Sequence, residues 1–418
     1  MGRIVGIACL AFITALACTR TTMYDASADS EIDSNLDASS LDVGQSMDSR
    51  VADIDETSAP RDAMDADSVP DAPRPLEPLE VRFLGVQGFA LRTGGDMILT
   101  APLFTRASVI DVTIGTTVAD EAAIVRGLAG MRLDQLRAVI TGHAHYDHLM
   151  DVPPILRRVP TSLLYANRTA QHILAALAPD RAARCTTPVP TSPIARERVI
   201  ALDDPATSAV DYRNCPTMRP AGASLEGRWI RVPGSHVRIR PFCSFHPDQI
   251  WVIHFGAGSV DADLCDLPTS AANWLEGATM SYLIDFLDDA DRPRFRVYYQ
   301  DAPTDGPMGH VPADILAEKA VDVALLCAGN YDRVRDQPGE IIAALRPRFA
   351  VSGHWEDFFI PITSPIRPLP FLNLMTYTMR GDIALPPPAD RPLLRDGAPA
   401  PGRNFVAQPG NVFIVPAQ

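Results

Sequence analysis

Residues 141–151 read TGHAHYDHLMD, so three histidines and an aspartate fall within six positions, directly after the apolar run LRAVI. The chain has only nine histidines in 418 residues, which makes this local density a strong signal. The β-branched run predicts a short strand, and the polar stretch is then the loop that leaves it. Because binding sites are commonly built on loops at strand ends, the segment predicts a site at the edge of a sheet.

The residue types in this loop favour a metal site. Neutral imidazoles and a carboxylate are the ligands that borderline cations such as Zn²⁺ prefer. Alternate residues of an extended loop point the same way, so His143 and His145 can share one ion, while Asp147 and His148 face a neighbouring one. The alternative interpretation is a solvated polar loop with incidental histidines. We expect two ions per chain, zinc first, with iron or manganese as alternatives.

The flanking sequence predicts an α/β fold. Residues 79–104 alternate short apolar stretches with the turn signals GVQG and TGGD, which is typical of consecutive strands. Residues 118–131 have helical spacing, and from 279 onward the pattern reads strand, strand, helix, strand, helix, strand. Strands first and alternating elements later favour an α/β sandwich. Residues 173–235 are rich in Pro and Arg with weak periodicity, and they predict an insertion.

The H-x-H-x-D-H loop, followed by further histidines and an aspartate after later strands, resembles the metallo-β-lactamase superfamily. The likeness runs from about Val81 to Phe359. It implies a four-layer αββα sandwich over residues 79–418. It also implies a third histidine for the first ion, an aspartate between the ions and a last histidine for the second ion.

Matched one position at a time, the resemblance assigns the three later ligands. His246 follows the strand-like VRIRPFC and is taken as the third histidine of the first ion, with His236 and His254 as rivals. Two further residues each follow a predicted strand: Asp301 as the bridging carboxylate, with Asp305 as its alternative, and His354 as the final ligand.

Two positions depart from the superfamily pattern. Ala101 stands in LTAP where an aspartate usually supports the metal loop, and Gln300 precedes Asp301 where glycine is usual. Loss of a residue that orients metal ligands often changes metal affinity 10- to 100-fold, so we expect Ala101 to lower the metal affinity of the site. The segments around these positions resemble most closely the branch of the L-ascorbate-phosphate lactonases and the N-acyl-phosphatidylethanolamine phospholipase D enzymes.

The resemblance implies a metal-dependent hydrolase in which a hydroxide held between two zinc ions attacks an ester, lactone or phosphodiester. Asp147 is the expected catalytic residue, since it can orient the water and handle its proton. The alternative is a membrane-tethered protein of the same fold that binds a metal or ligand without turnover. Hydrolysis of β-lactams is a minor alternative, because a bridging carboxylate such as Asp301 is typical of other branches.

Charge and composition argue against nucleic acid as a partner, so we expect a small-molecule substrate. Residues 24–75 hold 14 acidic residues against three arginines, so this segment carries −11 of the net −14. The only lysine is Lys319, and clustered basic residues, which nucleic acid would require, do not occur.

Residues 19–78 are predicted to form a disordered linker, because they hold too few apolar side chains to offset the entropy of ordering.

The first 18 residues have the layout of an export signal, with Arg3, an apolar run and small residues before Cys18. The ALAC sequence resembles a bacterial lipobox, which implies an exported protein tethered to a membrane at the cell envelope through lipid on Cys18. The alternative is an ordinary signal cut after Ala17 that leaves a periplasmic or secreted protein. Because export permits disulfides, Cys185 with Cys215 and Cys243 with Cys265 are the expected pairs.

Overall fold

The computed structural model describes residues 77–208, 226–249, 254–385, 393–394 and 402–417. The predicted signal peptide with Cys18 and nearly all of the predicted linker lie outside these residues, as does the middle of the predicted insertion. Among the described helices, none has the length and hydropathy of a membrane-crossing segment.

The strands of the described residues form two mixed sheets. The first has eight strands in the order β13-β15-β1-β2-β3-β4-β5-β6 and the second has seven in the order β14-β12-β11-β10-β9-β8-β7. The strands are β1 Leu79–Gly85, β2 Gly88–Thr93, β3 Asp96–Thr100, β4 Leu136–Ile140, β5 Leu163–Ala166, β6 Val199–Ala201, β7 Ile230–Arg231, β8 Val237–Cys243, β9 Met280–Leu287, β10 Pro293–Gln300, β11 Val323–Cys327, β12 Phe349–Gly353, β13 Leu393–Leu394, β14 Asn404–Val406 and β15 Val412–Val415.

The helices of the described residues are short and lie between these strands. They are α1 Val109–Thr113, α2 Glu121–Leu128, α3 Tyr146–Leu149, α4 Val152–Arg158, α5 Arg168–Leu174, α6 Pro205–Ser208, α7 Ala313–Glu318, α8 Gly339–Leu345 and α9 Leu374–Ala384. Single 3₁₀ turns occur at Leu133–Gln135, Ala175–Leu177, Pro179–Ala183, Arg196–Arg198, Ala271–Asn273 and Tyr331–Arg333.

Side-chain alternation along the strands divides the core into three layers. In β4, Ala138 and Ile140 lie in the cluster between the two sheets, whereas Val139 belongs to the cluster under the helices of the first sheet. In β10, Val297 lies between the sheets and Tyr298 packs with residues of α7 and α8. Since successive strand side chains point to opposite faces, each sheet is covered by helices on its outer face and by the other sheet on its inner face. The predicted αββα sandwich is confirmed.

The strand directions bring the predicted site residues to one edge. In the second sheet β8 is antiparallel to β9, β9 is antiparallel to β10, and β10, β11 and β12 are parallel. The carboxyl ends of β8, β10 and β12 therefore lie at the same edge. The segments that follow them carry His246, Asp301 and His354, which is why residues far apart in sequence can share one site.

The disulfide pattern differs from the sequence expectation. Cys185 is bonded to Cys265, with Cα atoms 5.6 Å apart, so the pairs Cys185 with Cys215 and Cys243 with Cys265 are wrong. Cys243 is also disulfide-bonded, and Cys327 is a buried free thiol. The sequence offered spacing alone, whereas a disulfide requires Cα atoms about 4.4–6.8 Å apart in the folded chain.

Candidate metal centre

Three buried histidines form the first ligand cluster, here called the three-histidine cluster. The ring centroids of His143 and His145 are 4.6 Å apart, and His246 lies 4.9 Å from the first and 5.0 Å from the second. One ring nitrogen from each residue lies within 4.8 Å of the other two. This is the geometry that one cation with imidazole ligands requires.

Asp147, His148 and His354 form the second group, here called the aspartate cluster. Asp147 Oδ2 lies 3.5 Å from His148 Nε2 and 3.3 Å from His354 Nε2. The ring of His148 is 4.1 Å from that of His143, so the two clusters are neighbours. The loop brings the clusters together because His145 precedes the first turn of α3, which carries Asp147 and His148 on its buried side.

Hydrogen bonds at the back of the rings determine which nitrogen of each histidine faces the cluster. His246 Nδ1 bonds the Pro247 carbonyl at 2.8 Å, and His145 Nε2 lies 3.3 Å from the Gly256 carbonyl. His143 Nδ1 is held by a carboxylate, and its Nε2 is buried without a hydrogen-bond partner. The remaining nitrogens can then bind a cation, and a buried imidazole nitrogen without a hydrogen-bond partner fits a metal ligand.

Asp301 contacts the Nδ1 atoms of two rings, and with His143 and His148 it forms a further group whose ligand atoms lie within 4.8 Å of one another. Its Oδ2 is 2.9 Å from His143 Nδ1 and its Oδ1 is 2.8 Å from His148 Nδ1. The sequence analysis expected this residue between the two ions. The structure joins it to both clusters, through hydrogen bonds to one histidine of each.

The two clusters differ in charge. Burial lowers the pKa of His143 and lowers those of His145 and His246 well below the usual value, so the three-histidine cluster is neutral. Burial also opposes the charged form of His148, but the nearby Asp301 and Asp147 outweigh it and raise the pKa of His148 to about 10. Against its own burial, Asp147 has a pKa well below its usual value because His148 and His354 face it.

The turn between β1 and β2 positions His354. The His354 backbone N–H donates to the Val86 carbonyl, and the Val86 N–H donates to Glu356 Oε1 at 2.7 Å. Both His354 (φ 54°) and Val86 (φ 52°) adopt left-handed backbone, which is costly for a β-branched residue such as Val86. Glu356 is itself buried and paired with Arg106 at 3.2 Å, so a buried ion pair holds this turn.

The rivals named from the sequence fall outside the two clusters. His236 is largely exposed, and its Nδ1 lies 3.7 Å from Asp96. Asp305 accepts a hydrogen bond from the Arg335 backbone N–H at 2.8 Å. His254 lies beside the three-histidine cluster, 5.2 Å from the ring of His246, and its Nε2 is 2.5 Å from Glu276 Oε2.

The pair of His254 and Glu276 is a site feature that sequence reasoning missed. Glu276 is buried, and Thr279 donates a hydrogen bond to it at 2.5 Å. Burial alone would raise the pKa of Glu276, but the hydrogen bond from His254 lowers it below its usual value. No local pattern identified Glu276, because it lies in an irregular segment before β9 and meets His254 only through the fold.

No family model and no curated protein matches the chain. Solved structures with similar folds include Igni18, a metallo hydrolase from Ignicoccus hospitalis. It has 16% identity and a TM-score of 0.42, with 80% of this chain and 97% of that chain covered. The metallo-β-lactamase fold protein YhfI from Bacillus subtilis is similar at 11% identity and TM-score 0.41, covering 80% and 99%. An isothiocyanate hydrolase from Delia radicum gut bacteria is similar at 12% and TM-score 0.37, covering 80% and 98%.

At TM-scores below 0.5 these likenesses assign no chemistry to this chain. The class follows from the molecule itself, in which two helix-covered sheets carry a histidine and aspartate site at one edge. The fold is therefore an αββα sandwich with a candidate metal site at one sheet edge.

Proposed function

We propose that this chain is a metal-dependent hydrolase that holds two divalent ions, zinc by preference, in the two clusters. One observation carries the proposal: six donor side chains from three separate segments converge into two adjacent groups, each within 4.8 Å internally. A solvated polar loop would leave its histidines exposed, whereas His143, His145 and His148 are all buried here. Burial of polar groups that bind no partner costs free energy.

The donor set fits zinc. Imidazole nitrogen and carboxylate oxygen are its usual protein ligands, and a catalytic site keeps an open position beside three protein ligands. The three-histidine cluster supplies three nitrogens, and the aspartate cluster supplies two nitrogens and one carboxylate. Iron and manganese take the same donors, so metal identity is a matter for measurement.

Ions at these positions would polarise the scissile group and lower the pKa of a bound water to about 7. The chain's own residues orient the attacking water. Asp147 stays ionised, because its pKa is held well below the usual value, so its carboxylate can accept a hydrogen bond from an attacking water and orient it. The ring contact of Phe358 with His354, at 5.2 Å between centroids, places an apolar surface beside the aspartate cluster.

The substrate we propose is an ester, lactone or phosphodiester with an apolar part. The resemblance to the lactonase and phospholipase D branch supports this class, and the aromatic rings of Phe358 and Phe359, 4.5 Å apart, support an apolar group in the substrate. Hydrolysis of β-lactams ranks below these.

The test is a screen of purified, zinc-loaded protein against carboxylic esters, lactones, phosphodiesters, thioesters and β-lactams. Asp147→Asn should lower turnover of every responsive substrate by about 10²- to 10⁴-fold, the range for loss of an acid–base group. The matched control is Asp305→Asn, which removes a nearby carboxylate that lies outside the clusters and should retain turnover. Equal turnover by Asp147→Asn and wild type, with both ions bound, would refute the mechanism.

The second candidate is a binding protein of the same fold without turnover, which the departures at Ala101 and Gln300 favour. It predicts two bound ions and no hydrolysis across the whole screen. The proposal of an enzyme fails on that outcome.

A further inference from the structure

We propose that Asp301 is a shared positioning residue that orients His143 and His148 from behind, in place of the bridging role implied by the superfamily pattern. Its carboxylate would also support the metal loop, which Ala101 cannot do because it lacks an acceptor side chain. The inference rests on the proposed function only in assuming that the opposite ring nitrogens face metal ions.

The first step is the hydrogen-bond inventory of the Asp301 carboxylate. Oδ2 accepts from the backbone N–H of Gly142 at 2.7 Å, from that of His143 at 2.9 Å, and from His143 Nδ1 at 2.9 Å. Oδ1 accepts from His148 Nδ1 at 2.8 Å and from the Tyr299 hydroxyl. Five donors therefore converge on one buried carboxylate.

The second step is the acceptor capacity of a carboxylate. Two carboxylate oxygens offer about four lone-pair sites, so five donors leave none for a cation. A bridging ligand would have to give up some of these bonds, and the backbone N–H groups of residues 142 and 143 would then be buried without acceptors. A buried N–H that loses its acceptor is destabilising, which favours the hydrogen-bonded arrangement.

The third step is Gly142. A Cβ at this position would lie 2.3 Å from Asp301 Cβ and 2.7 Å from Asp301 Oδ2, closer than real Cβ contacts occur. The glycine is therefore what allows the carboxylate to reach the loop backbone. Ala101 lies next to the same region, since its N–H donates to the Ile140 carbonyl at the end of β4. The metal loop is thus supported by Asp301, which follows a strand of the second sheet. In the superfamily pattern the supporting aspartate follows a strand of the first sheet, at the position of Ala101.

The consequence is a fixed ring orientation at both clusters. A carboxylate facing Nδ1 requires a proton there, which leaves Nε2 of His143 unprotonated and directed away from Asp301. Asp301 also faces Nδ1 of His148, so the Nε2 of that ring is directed toward Asp147 in the aspartate cluster. One side chain therefore sets the donor atom of one ligand in each cluster, and its loss should weaken both.

The primary experiment uses metal-free protein, so its outcome does not depend on any activity. Nitrogen-15 spectra of histidine-labelled protein should include protected Nδ1–H groups from His143 and His148, assigned with His143→Gln and His148→Gln. These assignments separate them from the Nδ1–H of His246, which donates to the Pro247 carbonyl. Asp301→Ala should lose both protected protons, whereas the control Asp305→Ala keeps them. If Asp301→Ala does not fold, Gly142→Ala provides the same readout, because it displaces the carboxylate without removing it. Protection that survives in Asp301→Ala or in Gly142→Ala would overturn the proposal.

The second arm is zinc binding by Asp301→Asn. We expect both ions to bind at saturating zinc, with affinities weaker by about 10- to 100-fold, as for other residues that orient metal-binding histidines. A crystal structure of the zinc-loaded wild type with an Asp301 oxygen about 2.0–2.2 Å from an ion would show a direct ligand and overturn the proposal. If the substrate screen fails while the protected protons behave as expected, the proposed function is wrong and this inference stands.

Discussion

The two clusters of the candidate metal centre are neighbours, but different interactions set the charges of their side chains. The three-histidine cluster contains no acid, and burial keeps its rings neutral by lowering their pKa values. The aspartate cluster pairs Asp147 with His148 and His354 at 3.3–3.5 Å, and the carboxylates around His148 raise the pKa of that ring to about 10.

This difference in protonation determines how readily each cluster binds a cation. Neutral imidazoles present free nitrogen lone pairs to an incoming ion with no competing proton. In the aspartate cluster a proton on His148 already neutralises Asp147, so an ion has to displace it. We expect the three-histidine cluster to load first at neutral pH and the aspartate cluster second.

The largest expected effect follows removal of a three-histidine ligand. His246→Ala leaves two imidazoles, and we expect zinc affinity at that cluster to fall by on the order of a hundredfold or more, since structural zinc binding of about 10–16 kcal/mol is shared among its ligands. Metal analysis after dialysis should find one ion in place of two. His236→Ala is the control and should retain both, because this side chain is largely exposed beside Asp96. The reverse pattern would exchange the two assignments.

A smaller effect should appear when the support of the aspartate cluster is broken. Glu356→Ala leaves the buried Arg106 unpaired and the Val86 N–H without its acceptor, so the free energy of unfolding should fall by about 3–5 kcal/mol. Because the Val86 carbonyl holds His354, zinc affinity at the aspartate cluster should weaken about 10- to 100-fold while the three-histidine cluster is unchanged.

Calorimetric zinc titration and chemical denaturation measure the two consequences of Glu356→Ala. Arg132→Ala is the control, since its pair with Asp134 is exposed to solvent and its loss should leave both measurements unchanged. Equal weakening of both clusters by Glu356→Ala would mean that their supports are not separate.

The smallest effect is a difference in proton release. At pH 7.5 the ring of His148, with a pKa of about 10, is protonated, so zinc entering the aspartate cluster should release about one proton and bind about tenfold more tightly per pH unit gained. The rings of the three-histidine cluster are already deprotonated and should release none. Titration calorimetry in buffers of different ionisation enthalpy measures the released protons, and His246→Ala isolates the aspartate cluster. Release of at least as many protons by the first ion as by the second would contradict the comparison.

Much of the fold could be predicted from the sequence because its signals are local. The apolar, β-branched run LRAVI and the helical spacing of residues 118–131 predicted β4 and α2. The H-x-H-x-D-H spacing predicted the metal loop, since the alternation and the loop position fix which residues are adjacent. Six of the seven predicted ligands lie in the two clusters, and the seventh, Asp301, groups with His143 and His148.

The tertiary structure alone determined the contacts between segments that are far apart in the sequence. The pairing of Cys185 with Cys265 joins residues 80 positions apart, and composition carries no information about which cysteines meet. The approach of Glu276 to His254 depends on the fold in the same way. Asp301 was correctly placed at the end of β10, but the direction of its carboxylate depends on donors from Gly142, His143, His148 and Tyr299. Sequence specifies which donors and acceptors exist, whereas the distances that decide which of them bond arise only when both sheets are packed.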